Sequence, residues 1–331
     1  MEQRTLGRTG LQVSVLGYGA GAVGGLFTKG EPADQERAVA RALEYGINYF
    51  DTAPQYGDGA SERNLGRVLK TLKPNIVLGT KIRLMPEERG RIAETVTASI
   101  EASLQRLGRD NVDLFQLHNI IAEDGAPLHL PAEVVLNEVV PAFQRVQQQG
   151  KTRFLGITAL GDTASLKRVV ASRAFDTAQV AYNILNPSAG TSMQPGYPAH
   201  DYGNMLADMQ AAGMGVINIR VLAGGALSGV TTRHPLGSQN VEPIGSASDY
   251  ATDAARATRL EALVDDGHAG SLIDAGLRYV IAHKAISTVL VGYSTLGQLE
   301  YAAASIAKGP LSAAALTRVA ELQGAFVGEA R

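Results

Sequence analysis

The sequence predicts an α/β protein built as a (β/α)8 TIM barrel, and three observations predict it. Apolar runs of strand length alternate strictly with amphipathic runs of helical period along the chain. The strands read as continuously apolar, as expected where both faces are covered by crossover helices. They number eight, the count that closes a barrel. A doubly wound open sheet shares the alternation, and periodicity alone leaves it open.

The elements follow in order. RTLGRTGLQVSVLGYG reads as two short strands around an Arg-Thr-Gly turn, with Gly10 free to take positive φ, running into VLGYG (15–19) as the first barrel strand. INYF (47–50), NIVLGT (75–80), VDLFQL (112–117), FLGI (154–157), AQVAY (178–182), VINI (216–219) and TVLV (288–291) supply the other seven. Helices are expected over 34–45, 61–72, 92–107, 136–149 and 164–172, where apolar residues recur three and four apart; the third stops at Gly108. No linker or charge block divides the chain, so residues 1–331 are expected to form a single domain. Two irregular stretches, 183–202 and 222–250, are long enough to be functional or mobile loops. The glycine-rich LGYGAGAVGGL (16–26) lacks the G-x-G-x-x-G spacing of a dinucleotide fingerprint and reads as barrel strand and loop.

Composition narrows the function. With 45% hydrophobic and 19% charged residues the chain has the balance of a globular protein, and a net charge of −2 gives no global field to draw nucleic acid or an anionic membrane. There is no cysteine, which excludes disulfides, thiolate metal sites and thiol nucleophiles. The opening MEQRTLGRTG has no apolar core of signal-peptide length and no run approaches a membrane span, so a cytoplasmic protein is expected. Among only six histidines there is no H-x-H or H-E-x-x-H spacing, and no metal is expected.

Three successive strand ends carry ionisable groups. Asp51 follows INYF, with Tyr56 five residues on in DTAPQYG; Lys81 ends NIVLGTK; His118 ends VDLFQLH. In a barrel the C-terminal strand ends share the face where active sites lie. A phenol is a weak acid–base catalyst at neutral pH; a lysine cation beside it favours the phenolate, and an aspartate keeps that lysine charged. A histidine near a carbonyl oxygen donates a hydrogen bond to it. Singly, each residue has a plain explanation: Asp51 as a cap, Tyr56 as a loop aromatic, Lys81 as a solvated charge, His118 as a satisfied core histidine. Together, at matching ends of consecutive strands, they point to one site.

These blocks, with SERNLG, LGTK, GKTRFLGIT and VLVGYSTLGQLE, resemble the aldo-keto reductase superfamily along essentially the whole chain, and in general character its bacterial aldose-dehydrogenase branch. The resemblance implies a barrel with an N-terminal hairpin closing its bottom. It implies Tyr56 as general acid/base, Asp51 and Lys81 as its tuning pair, and His118 as the carbonyl-orienting group. Relatives with glutamate at the His118 position reduce activated double bonds, so histidine here implies carbonyl or alcohol chemistry. The expected substrate is a small carbonyl compound or polyol, an aldehyde, ketone or aldose. Asn119 is expected to line the substrate pocket beside Tyr56 and His118, with Tyr197, His200 and Tyr202 as further candidates.

The implied cofactor is NAD(P)(H), contacted by Gly19, Asp51, Thr158, Gln179, Ile219, Arg220, Leu222, Gly292, Ser294 and Gln298. Gln179 matches the family's ligand to the nicotinamide carboxamide. The family's Ser-Asn pair is Thr158-Ala159 here, and its stacking aromatic followed by Ser-Pro-Leu is replaced by Ile219, Arg220, Val221 and Leu222. Arg220 suits a phosphate, or an ordinary ion pair. Where NADP-specific relatives place a lysine and an arginine, this chain has Gly292 and Gln298, with Glu300 adding negative charge; NAD is therefore expected over NADP. Arg220 and Arg233 are the alternative phosphate ligands. Two rival readings are a nucleotide-binding regulatory or redox-sensing subunit with slow turnover, and a metal-dependent barrel hydrolase or isomerase.

Overall fold

A computed structural model describes residues 1–230 and 232–330. Strands β1 (Gln3–Thr5) and β2 (Gln12–Ser14) form an antiparallel hairpin, turning at Gly10 with φ 71°. The barrel strands follow: β3 (Leu16–Gly19), β4 (Tyr49–Asp51), β5 (Val77–Ile82) and β6 (Val112–Leu117). A two-stranded aside, β7 (Ile120–Ile121) with β8 (His129–Leu130), precedes β9 (Thr152–Thr158), β10 (Thr177–Ala181), β11 (Gly215–Ile219) and β12 (Ile286–Gly292). β3 to β6 and β9 to β12 are parallel and close into one ring, β12 pairing back onto β3. Closure removes the open-sheet alternative.

Inward and outward side chains alternate along each strand and make two cores. Outside, residues such as Phe50, Phe115, Leu155 and Val289 pack under the helices. Inside, Tyr49, Val77, Leu114 and Ile217 meet Leu6 and Val13 of the hairpin, which plugs the barrel from below. Arg4 and Arg8 fasten that plug, Arg4 to the carbonyls of Ile281 and Ile286, Arg8 to Asp176 and the carbonyl of Phe175.

Several expected elements are shifted by a residue or two, the strand expected at 75–80 running Val77–Ile82, and two of the differences have a clear cause. The strand expected at 47–50 is Tyr49–Asp51, because Asn48 spends its side chain on the hairpin: Oδ1 accepts from Ser14 N at 2.6 Å and Nδ2 donates to the Gln12 carbonyl at 2.8 Å. The helix expected over 136–149 runs as a π turn, Val135–Val139, into an α-helix, Val140–Gln148. Pro141 has no N–H to donate and its ring crowds the preceding turn, which widens the backbone there. The two irregular stretches are tied to one another. Asn186 Nδ2 donates to the carbonyls of His200 and Gly245, and Arg256 Nη1 to those of Pro198 and Ser246.

Candidate active site

The register of the ring brings Asp51, Lys81 and His118 to the C-terminal rim of three adjacent strands. Lys81 is fully buried, and its ammonium has three acceptors: Asp51 Oδ1, the Thr52 carbonyl at 2.9 Å and Tyr56 Oη at 3.3 Å. Burial alone would lower the lysine pKa; the charge of Asp51 and then Tyr56 outweigh it and hold the group above its ordinary value. The cation also lies 4.9 Å from the Tyr56 ring centroid. Tyr56 reaches the site because its loop folds tightly, with Tyr56 N donating to the Ala53 carbonyl and Gly59 N to that of Pro54.

The His118 ring stands edge-on to Tyr56, centroids 5.9 Å apart. Burial, then the charges of Lys81 and Arg83, push its pKa well below the usual range, so the imidazole is neutral at pH 7. Its Nδ1 is sealed with no partner among the described residues, which leaves Nε2 as the ring nitrogen facing the cleft.

Beneath this group lies an amide ring. Asp51 Oδ2 accepts from Gln179 Nε2 at 2.7 Å, Gln116 Nε2 at 3.0 Å and Tyr49 Oη at 3.1 Å. The sequence reading missed Gln116 and Tyr49; the signal was a glutamine two residues before His118, on the same side of the strand VDLFQL. Two glycines make room for them. A Cβ on Gly79 would stand 3.2 Å from Tyr49 Oη and 3.3 Å from Asp51 Oδ2, and one on Gly156 would stand 2.8 Å from Gln116 Cγ. A carboxylate only accepts, so Gln179 must present Nε2 to Asp51 and turn its carbonyl oxygen elsewhere.

Above the site is a cleft of about 820 Å³, lined by Tyr56, His118, Asp51, Gly19, Thr158, Gln179, Ile219, Arg220, Leu222, Gly292, Ser294 and Gln298 among others. Its size is that of a cofactor site. Thr158 Oγ1 has no partner among the described residues, and Gln179 bonds through its side-chain nitrogen, which leaves the side-chain oxygen for a ligand; both suit the donors and acceptors of a carboxamide. Arg220, at φ 60°, and Arg233 flank the Gly224–Gly225 pair. A Cβ on Gly224 would stand 2.9 Å from Arg220 Nη1, and one on Gly225 3.0 Å from Arg233 Nη1, so the glycines keep a basic recess open. The donor set thus fits a dinucleotide.

Not every expected residue reaches the cleft. Asn119 is buried and spent on backbone: Oδ1 accepts from Leu84 N, and Nδ2 donates to the carbonyls of Leu84 and Leu128. Tyr197 donates to the Leu185 carbonyl and packs on Phe326. Tyr202 is buried against His200, which lines a separate recess with Glu123 and Asp162. Asn119 thus ties together the backbone at Leu84 and Leu128, while Tyr197, His200 and Tyr202 belong to the long loop 183–202, which folds back on itself. Glu300 is neutralised by Arg41 at 2.8 Å, a cation supplied by another helix, which also holds Glu44. Among the described residues no group of three or more His, Asp or Glu side chains is arranged to hold a metal ion, and no helix is long and apolar enough to cross a membrane.

The chain resembles known proteins along most of its length. L-galactose dehydrogenase of Arabidopsis thaliana is 32% identical over 314 residues, covering 92% of this chain and 88% of that protein. D-threo-aldose 1-dehydrogenase of a Pseudomonas species is 31% identical over 233 residues, 62% of this chain and 68% of its own length. The holo form of an aldo-keto reductase from Bacillus halodurans superposes with a TM-score of 0.71 at 25% identity, covering 97% and 96% of the two chains. The sequence model of the Aldo/keto reductase family matches residues 15–323, from the first barrel strand to the last helix. With a closed barrel, an Asp–Lys–Tyr–His rim and a match of that extent, the chain belongs to the aldo/keto reductase family.

Proposed function

We propose that the protein is an NAD(P)-dependent oxidoreductase that moves hydride between a nicotinamide and a carbonyl/alcohol pair, with Tyr56 as general acid/base. The observation that carries this reading is the Lys81 ammonium, which donates at once to the Asp51 carboxylate and to Tyr56 Oη. Gln179, Thr158, Ile219 and Leu222 would hold the nicotinamide end, Arg220 and Arg233 the phosphates, and Gly292 to Gln298 the adenosine end. A bound nicotinamide supplies the hydride in one direction and takes it back in the other.

The chain's own part is to place and move the proton. A carbonyl oxygen seated between Tyr56 Oη and His118 Nε2 receives two hydrogen bonds, provided the neutral imidazole carries its proton on Nε2, as we assign it. Tyr56 then gives its proton to that oxygen as negative charge develops. Lys81, held charged by Asp51, stabilises the phenolate left behind. In the oxidative direction the phenolate removes the alcohol proton.

The substrate we favour is a small aldehyde, ketone or aldose; the curated relatives include sugar and aldehyde dehydrogenases. We favour NAD(H), because residues 292–302 hold no cation and Gln298 is occupied in accepting from Ser294 N at 2.7 Å. The test is a panel of aldoses and aldehydes assayed with NADH and NADPH by nicotinamide absorbance, with Tyr56→Phe alongside. Turnover is expected from the wild type, and essentially none from Tyr56→Phe with cofactor binding retained. A phenylalanine variant of near-normal rate refutes the role of Tyr56.

A further inference from the structure

Three arginines line the cleft, and two of them are engaged. Arg220 Nη1 donates to the Glu242 carbonyl at 3.1 Å; Arg233 donates to the carbonyls of Ser238 and Gly224. Arg83 makes no hydrogen bond or ion pair with any of the described residues. It stands where the reaction would occur. Ile82 pairs with Leu117 in the β5–β6 register, so Arg83 and His118 are the next residues on neighbouring strands, on the same inward side as Lys81 and Gln116. Arg83 therefore shares the cleft wall with His118, Ile120 and Tyr56.

The local charge balance leaves this guanidinium uncompensated. Asp51 is matched by Lys81, its other oxygen is saturated by three neutral donors, and His118 is neutral. A half-buried guanidinium presents a planar fork of donors to whatever enters. A neutral polyol offers it only weak acceptors, whereas a carboxylate or phosphate matches both its charge and its geometry.

We propose that Arg83 is a specificity residue for an anionic substrate: a carbonyl compound bearing a carboxylate or phosphate, whose anionic group docks on Arg83 while its carbonyl lies against Tyr56 and His118. This rests on the oxidoreductase reading for the reaction, but not for the binding.

The test separates the two. Calorimetric titration of wild type, Arg83→Gln and Arg83→Lys, with and without NADH, uses three unreactive probes: glycerol 3-phosphate, succinate and neutral glycerol. At least one anion should bind the wild type more tightly than glycerol does, and Arg83→Gln should weaken it about 10- to 100-fold, the value of a charge-assisted hydrogen bond. Arg83→Lys, which keeps the charge but loses the fork, should retain phosphate binding better than carboxylate binding; whichever anion responds to Arg83→Gln identifies the group. In turnover, the preference for glyceraldehyde 3-phosphate or succinic semialdehyde over glyceraldehyde should fall by the same factor in Arg83→Gln. An anion affinity indifferent to Arg83→Gln, as for an anion held by Arg220 and Arg233, overturns the proposal, and so does a wild type that binds neither anion. Anion binding that depends on Arg83, with no turnover of any carbonyl, would instead refute the oxidoreductase reading alone.

Discussion

Replacing Lys81 by methionine strands a buried charge as well as removing the cation proposed to support Tyr56. Asp51 is 1% exposed, and Tyr49, Gln116 and Gln179 all donate to its Oδ2; Oδ1 is served by Lys81. The variant therefore leaves one carboxylate oxygen bare in the barrel core. Removing one partner of a buried pair costs about 3–5 kcal/mol. For 331 residues the unfolding entropy is about 0.7 kcal/mol per kelvin, so the melting temperature should fall by roughly 4–7 °C. Turnover should drop by about 10²–10⁴, as proton transfer from Tyr56 loses its electrostatic support. Scanning calorimetry at pH 7 reads the first effect and nicotinamide absorbance the second. Combining Lys81→Met with Asp51→Asn removes the stranded charge, so it should restore most of the melting temperature while activity stays lost. A Lys81→Met protein melting within about 1 °C of wild type, or a double variant no more stable than the single, refutes the pairing described.

Two further perturbations test other parts of the molecule. Gln298→Arg should tighten NADPH binding roughly 10- to 100-fold and leave NADH nearly unchanged, read by fluorescence quenching; tighter wild-type binding of NADPH than NADH, weakening steeply with salt, would mean a phosphate site already exists, at Arg220 or Arg233. Asp253 is buried, with Oδ1 unpartnered and Oδ2 accepting from Ser246, and burial raises its carboxyl to about 6. A raised acid contributes stability that is present below its unfolded pKa near 4 and lost as pH rises through about 6. Asp253→Asn should therefore stabilise at pH 8 by up to about 3 kcal/mol and much less at pH 4, in urea melts; an equal gain at both pH values contradicts this.

What could be read in the sequence was whatever the backbone period dictates. An apolar run followed by an ionisable residue marks a strand end, which placed Asp51, Lys81 and His118 at one end of the sheet; that the eight strands close into a ring, not an open sheet, only the pairing of β12 with β3 decides. Residues whose roles depend on partners distant in sequence were not legible. Asn119 follows His118 and looks like pocket lining, yet its amide is consumed by Leu84, 35 residues earlier. Tyr197, His200 and Tyr202 lie in a loop shaped by Asn186 bonding to Gly245, 59 residues on. Arg83 was invisible for the opposite reason: nothing in a sequence marks a cation that lacks a partner.

The hairpin plug has a consequence for the order of events during synthesis. Arg4 is bound to carbonyls 282 and 277 residues further along, and β3 pairs with β12. On the ribosome, β1 to β3 emerge first but can be completed only after Ile286–Gly292 has appeared, nearly the whole chain later. Until then the Leu6 and Val13 side chains that will cork the barrel have no complete cavity to enter, and the edge of β3 stays open to unwanted pairing. Such long-range closure slows folding, because chain entropy is lost before the contacts that offset it can form. The nascent protein thus carries its first strand unguarded for most of its translation, and the finished barrel has no edge left to guard.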